Sequence, residues 1–261
     1  MRAEAEKLAF LKDSLARAGL EGPDSHVRVA LGHPGADASL KGGIARGTLH
    51  EIFPAAAGDE ASATGFAAAL CARVAARKRV LWLLPDFAAL EHGEISALGL
   101  LELGLDPARF LLLRAPDAVS VLRAATDALT CRALGALIIE IPGAVKALDL
   151  SAGRRLVLAA NETGVTAFLL RCWAEPEPSA AETRWLIGAA SANRNDENWG
   201  CPLYDAGLVR NRHGSTGQWL MEWNSDDGLF CAADSGAVVS APCDRPSQAV
   251  HPRTVQLTRV A

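Results

Sequence analysis

The chain has 261 residues, of which 50% are hydrophobic and 21% are charged. This composition excludes global disorder and is ample for one large domain, or for one domain with a small appendage. The net charge of −4 argues against tight non-specific binding to nucleic acid by the surface as a whole.

Residues 1–20 are predicted to form an amphipathic helix, because apolar residues recur every three or four positions between charged ones. Residues 21–43 are rich in glycine, proline and aspartate, and we interpret them as a linker. A helix detached from the core in this way must bury its apolar face elsewhere, often on another subunit. Its candidate partner-binding residues are Leu8, Leu11 and Leu15.

From residue 43 to residue 171, predicted strands and helices alternate. Short apolar runs, typical of strands that are buried on both faces of a sheet, predict five strands at 48–53, 79–84, 110–114, 136–141 and 165–170. Helical periodicity predicts the intervening helices at 64–76, 94–103, 117–131 and 151–163. This alternation predicts a doubly wound α/β fold with a mostly parallel sheet.

After residue 172 the helical periodicity is lost. Residues 184–187, 207–212 and 218–223 are predicted to be antiparallel edge strands, the last two joined by a hairpin loop at 213–217. Residues 225–261 contain few apolar runs, so we expect a loosely ordered tail. The predicted organisation is an N-terminal helix and linker over 1–42, a core over 43–190, and a C-terminal strand extension with a tail over 191–261.

The loop between the first strand and the first core helix is where folds of this class bind phosphate. A functional phosphate loop ends in Gly-Lys-Ser/Thr, and none of the five lysines of the chain is followed by serine or threonine. Two carboxylates lie where phosphate oxygens would approach, and they suit an empty helix N-terminus with Ser62 or Thr64 as its N-cap. We therefore expect neither nucleotide binding nor hydrolysis. The degenerate loop comprises Gly58, Asp59, Glu60, Ser62, Thr64 and Gly65.

The segment 43–53 resembles the first strand of RecA, and the strands and helices that follow run in a RecA-like order. By this resemblance Asp86 falls at the position of the water-activating glutamate of RecA, and Glu140 at that of its magnesium-linked aspartate. Without the lysine and the hydroxyl these acids have no phosphate to act on, so we interpret both as vestigial. The region of the second RecA DNA loop, 172–183, holds three glutamates and no basic residue before residue 184, which disfavours direct DNA binding.

A second and closer resemblance is carried by six segments, at 46–51, 63–66, 148–156, 164–166, 183–185 and 219–223. In these segments, and over roughly residues 40–225, the chain resembles the ImuA family, RecA-related proteins of bacterial damage-inducible mutagenesis cassettes. The resemblance implies a non-catalytic, SOS-induced adaptor of error-prone translesion synthesis. It implies as partners an ImuB-type Y-family-like polymerase relative and an error-prone C-family polymerase, with RecA or a second copy of the chain as further candidates.

Two other functions stay open at this point. The SulA division inhibitors also resemble a RecA core without a nucleotide site, and they block a tubulin-like polymer; the longer N-terminus and the C-terminal strands of this chain disfavour that family. The second alternative is a cryptic ATPase that uses Asp86 and Glu140.

Arginines and tryptophans in the C-terminal strands are typical of protein interfaces, and we take Arg210, Arg212 and Trp219 as candidate partner-binding residues. The six cysteines form no C-x-x-C pair and match no zinc-finger spacing, so we expect reduced thiols and no metal or other cofactor. Apolar runs shorter than about 20 residues disfavour a membrane-spanning helix, and the charged first ten residues do not resemble a signal peptide. These features predict a cytoplasmic protein.

Overall fold

The computed structural model describes residues 26–88, 90, 93–192, 201–233 and 237–238. The predicted helix over 1–20, with Leu8, Leu11 and Leu15, lies outside the described residues.

The first described elements form a small unit in which strands β1 (Arg28–Val29) and β2 (Ile44–Ala45) pair and flank helix α1 (Pro34–Ser39). His33 is the N-cap of α1, and its ring accepts a hydrogen bond from the Ala36 N–H at 3.3 Å. Leu31, Ala36 and Leu40 belong to the main hydrophobic core. The expected linker is therefore wrong for residues 26–43, because this segment buries enough apolar surface to pack on the rest of the protein.

Six parallel strands form the centre of the molecule, and helices connect the first five of them. In chain order the elements are β3 (Leu49–Pro54), α2 (Glu60–Ala75), β4 (Arg79–Pro85), α3 (Ala97–Glu102), β5 (Phe110–Ala115), α4 (Ala118–Leu129), β6 (Leu134–Glu140), α5 (Leu150–Thr163), β7 (Thr166–Leu170) and β8 (Thr183–Ala189). Their spatial order is β8-β3-β7-β6-β4-β5. The predicted doubly wound, mostly parallel α/β fold is confirmed, and it is consistent with a RecA-like core.

Two apolar layers cover the two faces of this sheet. Helix α2 packs on one face, where Phe66 and Leu70 meet Phe168 and Trp185. Helices α4 and α5 pack on the other face. Small residues let α2 approach the sheet closely: a Cβ atom on Gly135 of β6 would lie only 2.7 Å from the Ala75 Cα atom.

Antiparallel strands extend the sheet beyond β8. Strand β10 (Leu203–Asn211) pairs with β8, β11 (Gly217–Asn224) pairs with β10, and β12 (Leu229–Ala232) forms the edge. Strands β9 (Ser191–Ala192) and β13 (Ala237–Val238) pair separately. The predicted hairpin between the second and third C-terminal strands is confirmed.

The structure differs from the sequence-based expectations at strand β8 and at residues 229–232 of the expected tail. Strand β8 is not an edge strand, because it pairs in parallel with β3 on one side and antiparallel with β10 on the other. The expected loose tail contains strand β12, because Phe230 supplies an apolar anchor that is fully buried against Trp223 and Phe66. The division into three segments stays a prediction.

Candidate functional site

The loop between β3 and α2 uses its own carboxylates to bind its own backbone. Asp59 accepts hydrogen bonds from the Ala56 N–H at 3.1 Å and from the Ala189 N–H, at the end of β8, at 2.9 Å. Glu60 accepts from the Gly58 N–H at 2.9 Å and from the Trp173 indole N–H at 3.1 Å. These acids therefore occupy amide donors at the place where folds of this class present amides to phosphate.

Helix α2 begins earlier than the sequence predicts. Its first residue is Glu60 and its N-cap residue is Asp59, whose side chain makes no capping bond to the helix and instead reaches β8. Ser62 and Thr64 lie within the helix, so the prediction that one of them is the N-cap is wrong. Two acids at the start of the helix still suit its positive dipole end.

A cavity of about 600 Å³ lies beside this loop, between the N-terminal half of α2, the carboxyl ends of β4 and β6, and residues 93–103. Its walls are mainly apolar, and the described lining includes three glutamates and two tryptophans. Four residues of the degenerate loop line the cavity: Gly58, Glu60, Thr64 and Gly65. The other described lining residues are Ala61, Ala68, Trp82, Leu84, Ala88, Gly93, Glu94, Ile95, Ser96, Gly99, Leu100, Leu103, Glu140 and Trp173.

The two acids interpreted as vestigial have different surroundings. Glu140 is the last residue of β6, lines the cavity and is only 6% exposed, and it accepts a hydrogen bond from the Trp82 indole N–H at 3.1 Å. Asp86 follows β4, is exposed, and does not line the cavity. The structure therefore places only one of the two acids in the candidate site.

Glu60 and Glu140, which line this cavity, both act on the nearby thiol of Cys172. Burial, and then the charges of Glu140 and Glu60, raise the pKa of the Cys172 thiol to about 12. Cys172 is therefore a protonated thiol at neutral pH, and the same field disfavours anions at this site.

The candidate partner-binding residues of the C-terminal strands do not form one surface. Arg210 lies opposite Arg184 in the β8–β10 pair and donates to the Ser179 hydroxyl at 3.2 Å. Trp219 packs beside Trp185, with ring centroids 6.3 Å apart, on the α2 side of the sheet. Arg184 and Trp185 are successive residues of β8 and therefore face opposite sides of the sheet. Arg210, beside Arg184, and Trp219, beside Trp185, thus lie on opposite faces. Arg212 is exposed.

Burial also alters Arg210. It lowers the pKa of this arginine, and the nearby charges of Arg212 and Arg184 lower it further. The side chain of Arg210 is thus part of an arginine-rich cluster on the sheet rather than an isolated surface charge.

The loop before β8 is less acidic at its surface than the sequence indicates. Glu175 and Glu177 are exposed, but Glu182 is buried, with carboxylate oxygens 4.0 Å from the Arg28 guanidinium and 3.4 Å from His213 Nε2. Glu182 therefore connects the N-terminal unit to the C-terminal hairpin, a contact that the sequence did not indicate.

Two buried polar contacts on β3 were also missed. Glu51 pairs with Arg184, and the ring of His50 lies between the Thr183 hydroxyl and the Ala45 carbonyl. Acidic and histidine residues within an otherwise apolar strand were the available signal, because buried polar side chains need partners.

No helix in the described part of the chain is long and apolar enough to cross a membrane. Within the same ranges, His, Cys, Asp and Glu side chains form no group of three or more suited to a metal ion.

Comparison with known proteins finds relatives named Protein ImuA in two strains of Caulobacter vibrioides, each 30% identical to this chain over 211 residues. The matched region covers 74% of this chain and 82% of each relative. No protein-family model matches the chain. The similarity thus extends over most of both chains rather than over one motif.

Proposed function

Since the chain belongs to the ImuA family, we propose that it is a non-catalytic, RecA-like adaptor that acts in damage-inducible mutagenesis. In this role it binds an ImuB-type Y-family-like partner in the cytoplasm during error-prone translesion synthesis and the SOS response. An error-prone C-family polymerase joins the same complex, and RecA or a second copy of the chain are further partners. Direct DNA contact is weak or absent.

One observation carries the non-catalytic part of the proposal: Asp59 and Glu60 accept hydrogen bonds from the Ala56 and Gly58 amides of the β3–α2 loop. A nucleotide phosphate would have to displace both carboxylates and approach their charges, and no lysine follows to compensate. The placement of Asp86 outside the cavity also supports the proposal, since a cryptic ATPase would need both acids beside the phosphate.

Arg212 is the best test residue for the partner surface. It is exposed, whereas Trp219 packs against Trp185 and would change stability as well as binding when substituted. Substituting Arg210 would likewise affect stability as well as binding, because Arg210 donates to the Ser179 hydroxyl.

The test is co-expression of the full chain with an ImuB-type protein, followed by size-exclusion chromatography with and without magnesium–ATP. We expect a complex of unchanged yield in both conditions. Arg212→Glu should weaken the complex about tenfold or more through charge reversal at the interface. The matched control is Arg155→Glu, at an exposed position of α5.

Two results would contradict the adaptor proposal, and a third would exclude Arg212 from the partner surface. A folded chain that forms no complex would remove the adaptor role. A complex that requires ATP, or tight magnesium–ATP binding by the chain alone, would favour an ATPase. Equal effects of the two charge reversals would show that Arg212 is not at the interface.

A further inference from the structure

The two edges of the central sheet differ in how they are covered. At one edge, β12 bonds to a further segment, because the Phe230 N–H donates to the Leu31 carbonyl at 2.9 Å. At the other edge, β5 pairs with β4 alone, and no residue of the described ranges bonds to its outward backbone groups. Strand β5 thus offers amides and carbonyls to a further strand.

Strand β5 also lacks the features that keep edge strands from associating. Natural edges are protected by lysine, proline, bulges or inward-pointing charges. Residues 110–115 contain neither lysine nor proline, and their register against β4 is regular. Their one charged residue, Arg114, pairs with Glu94. An unprotected apolar edge of this kind marks an interaction surface.

We propose that β5 is the interface of a symmetric homodimer, in which it pairs antiparallel with β5 of a second copy and the two sheets become one. In this dimer Leu112 lies on the two-fold axis, opposite Leu112 of the second copy. Each Leu111 lies opposite Leu113 of the other copy.

The exposed leucines select this register. Leu112 lies on the α2 side of the sheet, like its β4 partner Trp82, whereas Leu111 and Leu113 lie on the α4 side. A two-fold axis perpendicular to the sheet keeps every side chain on its own face. Only an axis at residue 112 places a leucine opposite each of the three leucines. An axis at residue 111 or 113 would place one of them opposite an arginine.

The charges near the two ends of β5 fit the same pairing. Arg109 of one copy lies opposite Ala115 of the other, two positions from the exposed Asp117. Because the axis repeats every contact, opposite charges approach each other at both ends. Arg114 lies opposite Phe110, whose ring attracts a guanidinium group.

The helices next to β5 in the chain enlarge the apolar surface. Leu98 and Leu101 of α3 and Val119 of α4 are exposed. Together with the leucines of β5, they give residues 98–119 six of the thirteen exposed large apolar side chains of the described chain. Burial of this surface between two copies would stabilise the dimer.

This inference deepens one part of the proposed function, in which a second copy of the chain is a further partner. The first measurement is sedimentation equilibrium of the full chain over a range of micromolar concentrations. We expect a mass near twice that of the chain, 27.4 kDa, and no larger species, because a two-fold contact closes on itself. A monomer at every concentration, or open-ended assemblies, would overturn the proposal.

A cysteine on the axis tests the register. The starting protein has the exposed Cys131 and Cys231 changed to serine, so that they cannot cross-link. In it, Leu112→Cys should form a disulfide between copies under mild oxidation, because directly opposed strand residues lie within disulfide range. The control is Leu158→Cys, at an exposed position of α5, which should not cross-link.

Mixing two variants tests the register further. Leu111→Cys should cross-link with Leu113→Cys, and neither should cross-link efficiently with itself, because identical residues away from the axis are not opposed. A dimer that forms without the Leu112→Cys cross-link, or in which Leu111→Cys prefers itself, would overturn the proposed pairing.

The charges are tested by a substitution that preserves the helix cap. Asp117 accepts a hydrogen bond from the Ser120 N–H at 2.7 Å, and asparagine can cap a helix in the same way. Asp117→Asn should weaken the dimer about two- to tenfold, because a charge is lost at both ends. Asp127→Asn, at another exposed position of α4, is the matched control, and an equal effect of both variants would contradict the charge pairing.

These results are distinguishable from a failure of the adaptor role. The chain is measured alone, so a monomer would overturn the dimer and leave complex formation with the ImuB-type protein to its own test. Conversely, a dimer that forms no such complex would support the β5 interface and contradict the adaptor proposal.

Discussion

Arg184 donates to the Glu51 carboxylate at 2.7 Å across two neighbouring parallel strands, β8 and β3, and both residues are buried. The same guanidinium donates to the Glu177 carbonyl and to the Ser179 hydroxyl. The guanidinium of Arg184 thus holds strand β8, which was expected at the sheet edge, against β3. It also holds the loop that leads into β8.

Removing one member of the pair should be more damaging than removing both. Arg184→Leu removes the only cation that is hydrogen-bonded to the buried Glu51 carboxylate among the described contacts, and it should lower the free energy of unfolding by about 3–5 kcal/mol. The double variant Glu51→Leu/Arg184→Leu should recover part of this loss, because the buried carboxylate is removed together with its bonded guanidinium, although Arg171 then loses the nearby charge of Glu51. Urea unfolding of the three proteins measures both values, and a double variant no more stable than Arg184→Leu would contradict the argument.

His50 makes the stability of the fold depend on pH. The Trp185 indole donates to the Thr183 hydroxyl at 3.1 Å, and the two His50 nitrogens lie 2.7 Å from that hydroxyl and 2.8 Å from the Ala45 carbonyl. Burial lowers the pKa of His50 to about 4. The folded state therefore holds this imidazole neutral.

Acidification should remove that contribution to stability. The unfolded chain takes up a proton below its ordinary pKa of about 6.5, whereas the folded chain does so only near 4, so stability is lost progressively as pH falls between these values. Between pH 7 and pH 5 the loss from this group is about 2 kcal/mol. Urea unfolding at both pH values measures this loss. The free energy of unfolding of His50→Gln should fall by about 2 kcal/mol less than that of the unsubstituted protein. Parallel pH profiles of the two proteins would contradict it.

Close packing between α2 and β6 predicts a strong effect of one methyl group. Gly135→Ala would place a Cβ atom within 3 Å of the Ala75 backbone, and moving the helix should cost about 1–3 kcal/mol. Gly153→Ala in α5 is the control, since its Cβ atom would meet Ala180 at an ordinary 3.6 Å. There alanine should stabilise the helix by up to about 1 kcal/mol. Thermal unfolding that gave both variants the same sign would disagree with this packing.

Strand β5 is an exposed apolar edge. Leu111, Leu112 and Leu113 are 42%, 45% and 41% exposed, and the strand has β4 as a neighbour on one side only within the described sheet. Such an edge favours association between chains. Leu112→Lys should weaken concentration-dependent association in sedimentation velocity by roughly tenfold. Leu158→Lys on α5, where leucine is 62% exposed but has no free strand edge, should leave association unchanged.

The parallel core could be predicted because its signals are local. Each of β3, β4, β5, β6 and β7 is a short apolar run between helical segments, and those segments differ from their predicted bounds by only a few residues at either end. The position of β8 could not be predicted in the same way, because its pairing with β3 joins residues more than a hundred positions apart through contacts such as Glu51 with Arg184. The sequence of β8 alone does not indicate that it pairs with β3, or in which register.

The candidate site was predicted in part. The acids of the loop were identified, but their partners were not, because Ala189 and Trp173 come from remote segments. Helix α1 had a usable signal that was overlooked: Pro34 follows an N-cap residue, as is typical of a helix start. The cavity itself depends on how α2 and residues 93–103 pack, which no local pattern encodes.

The segment 27–45 contacts the C-terminal strands β10 to β12, which has a consequence for synthesis. The Phe230 N–H donates to the Leu31 carbonyl at 2.9 Å, and the Asn211 side chain donates to the Ser39 carbonyl at 2.9 Å. Residues 27–45 therefore leave the ribosome long before β10 to β12, and they gain these contacts only after those strands have emerged. Until then the carbonyl groups of Leu31 and Ser39 lack these partners, so we expect this segment to be a place for chaperone binding during translation.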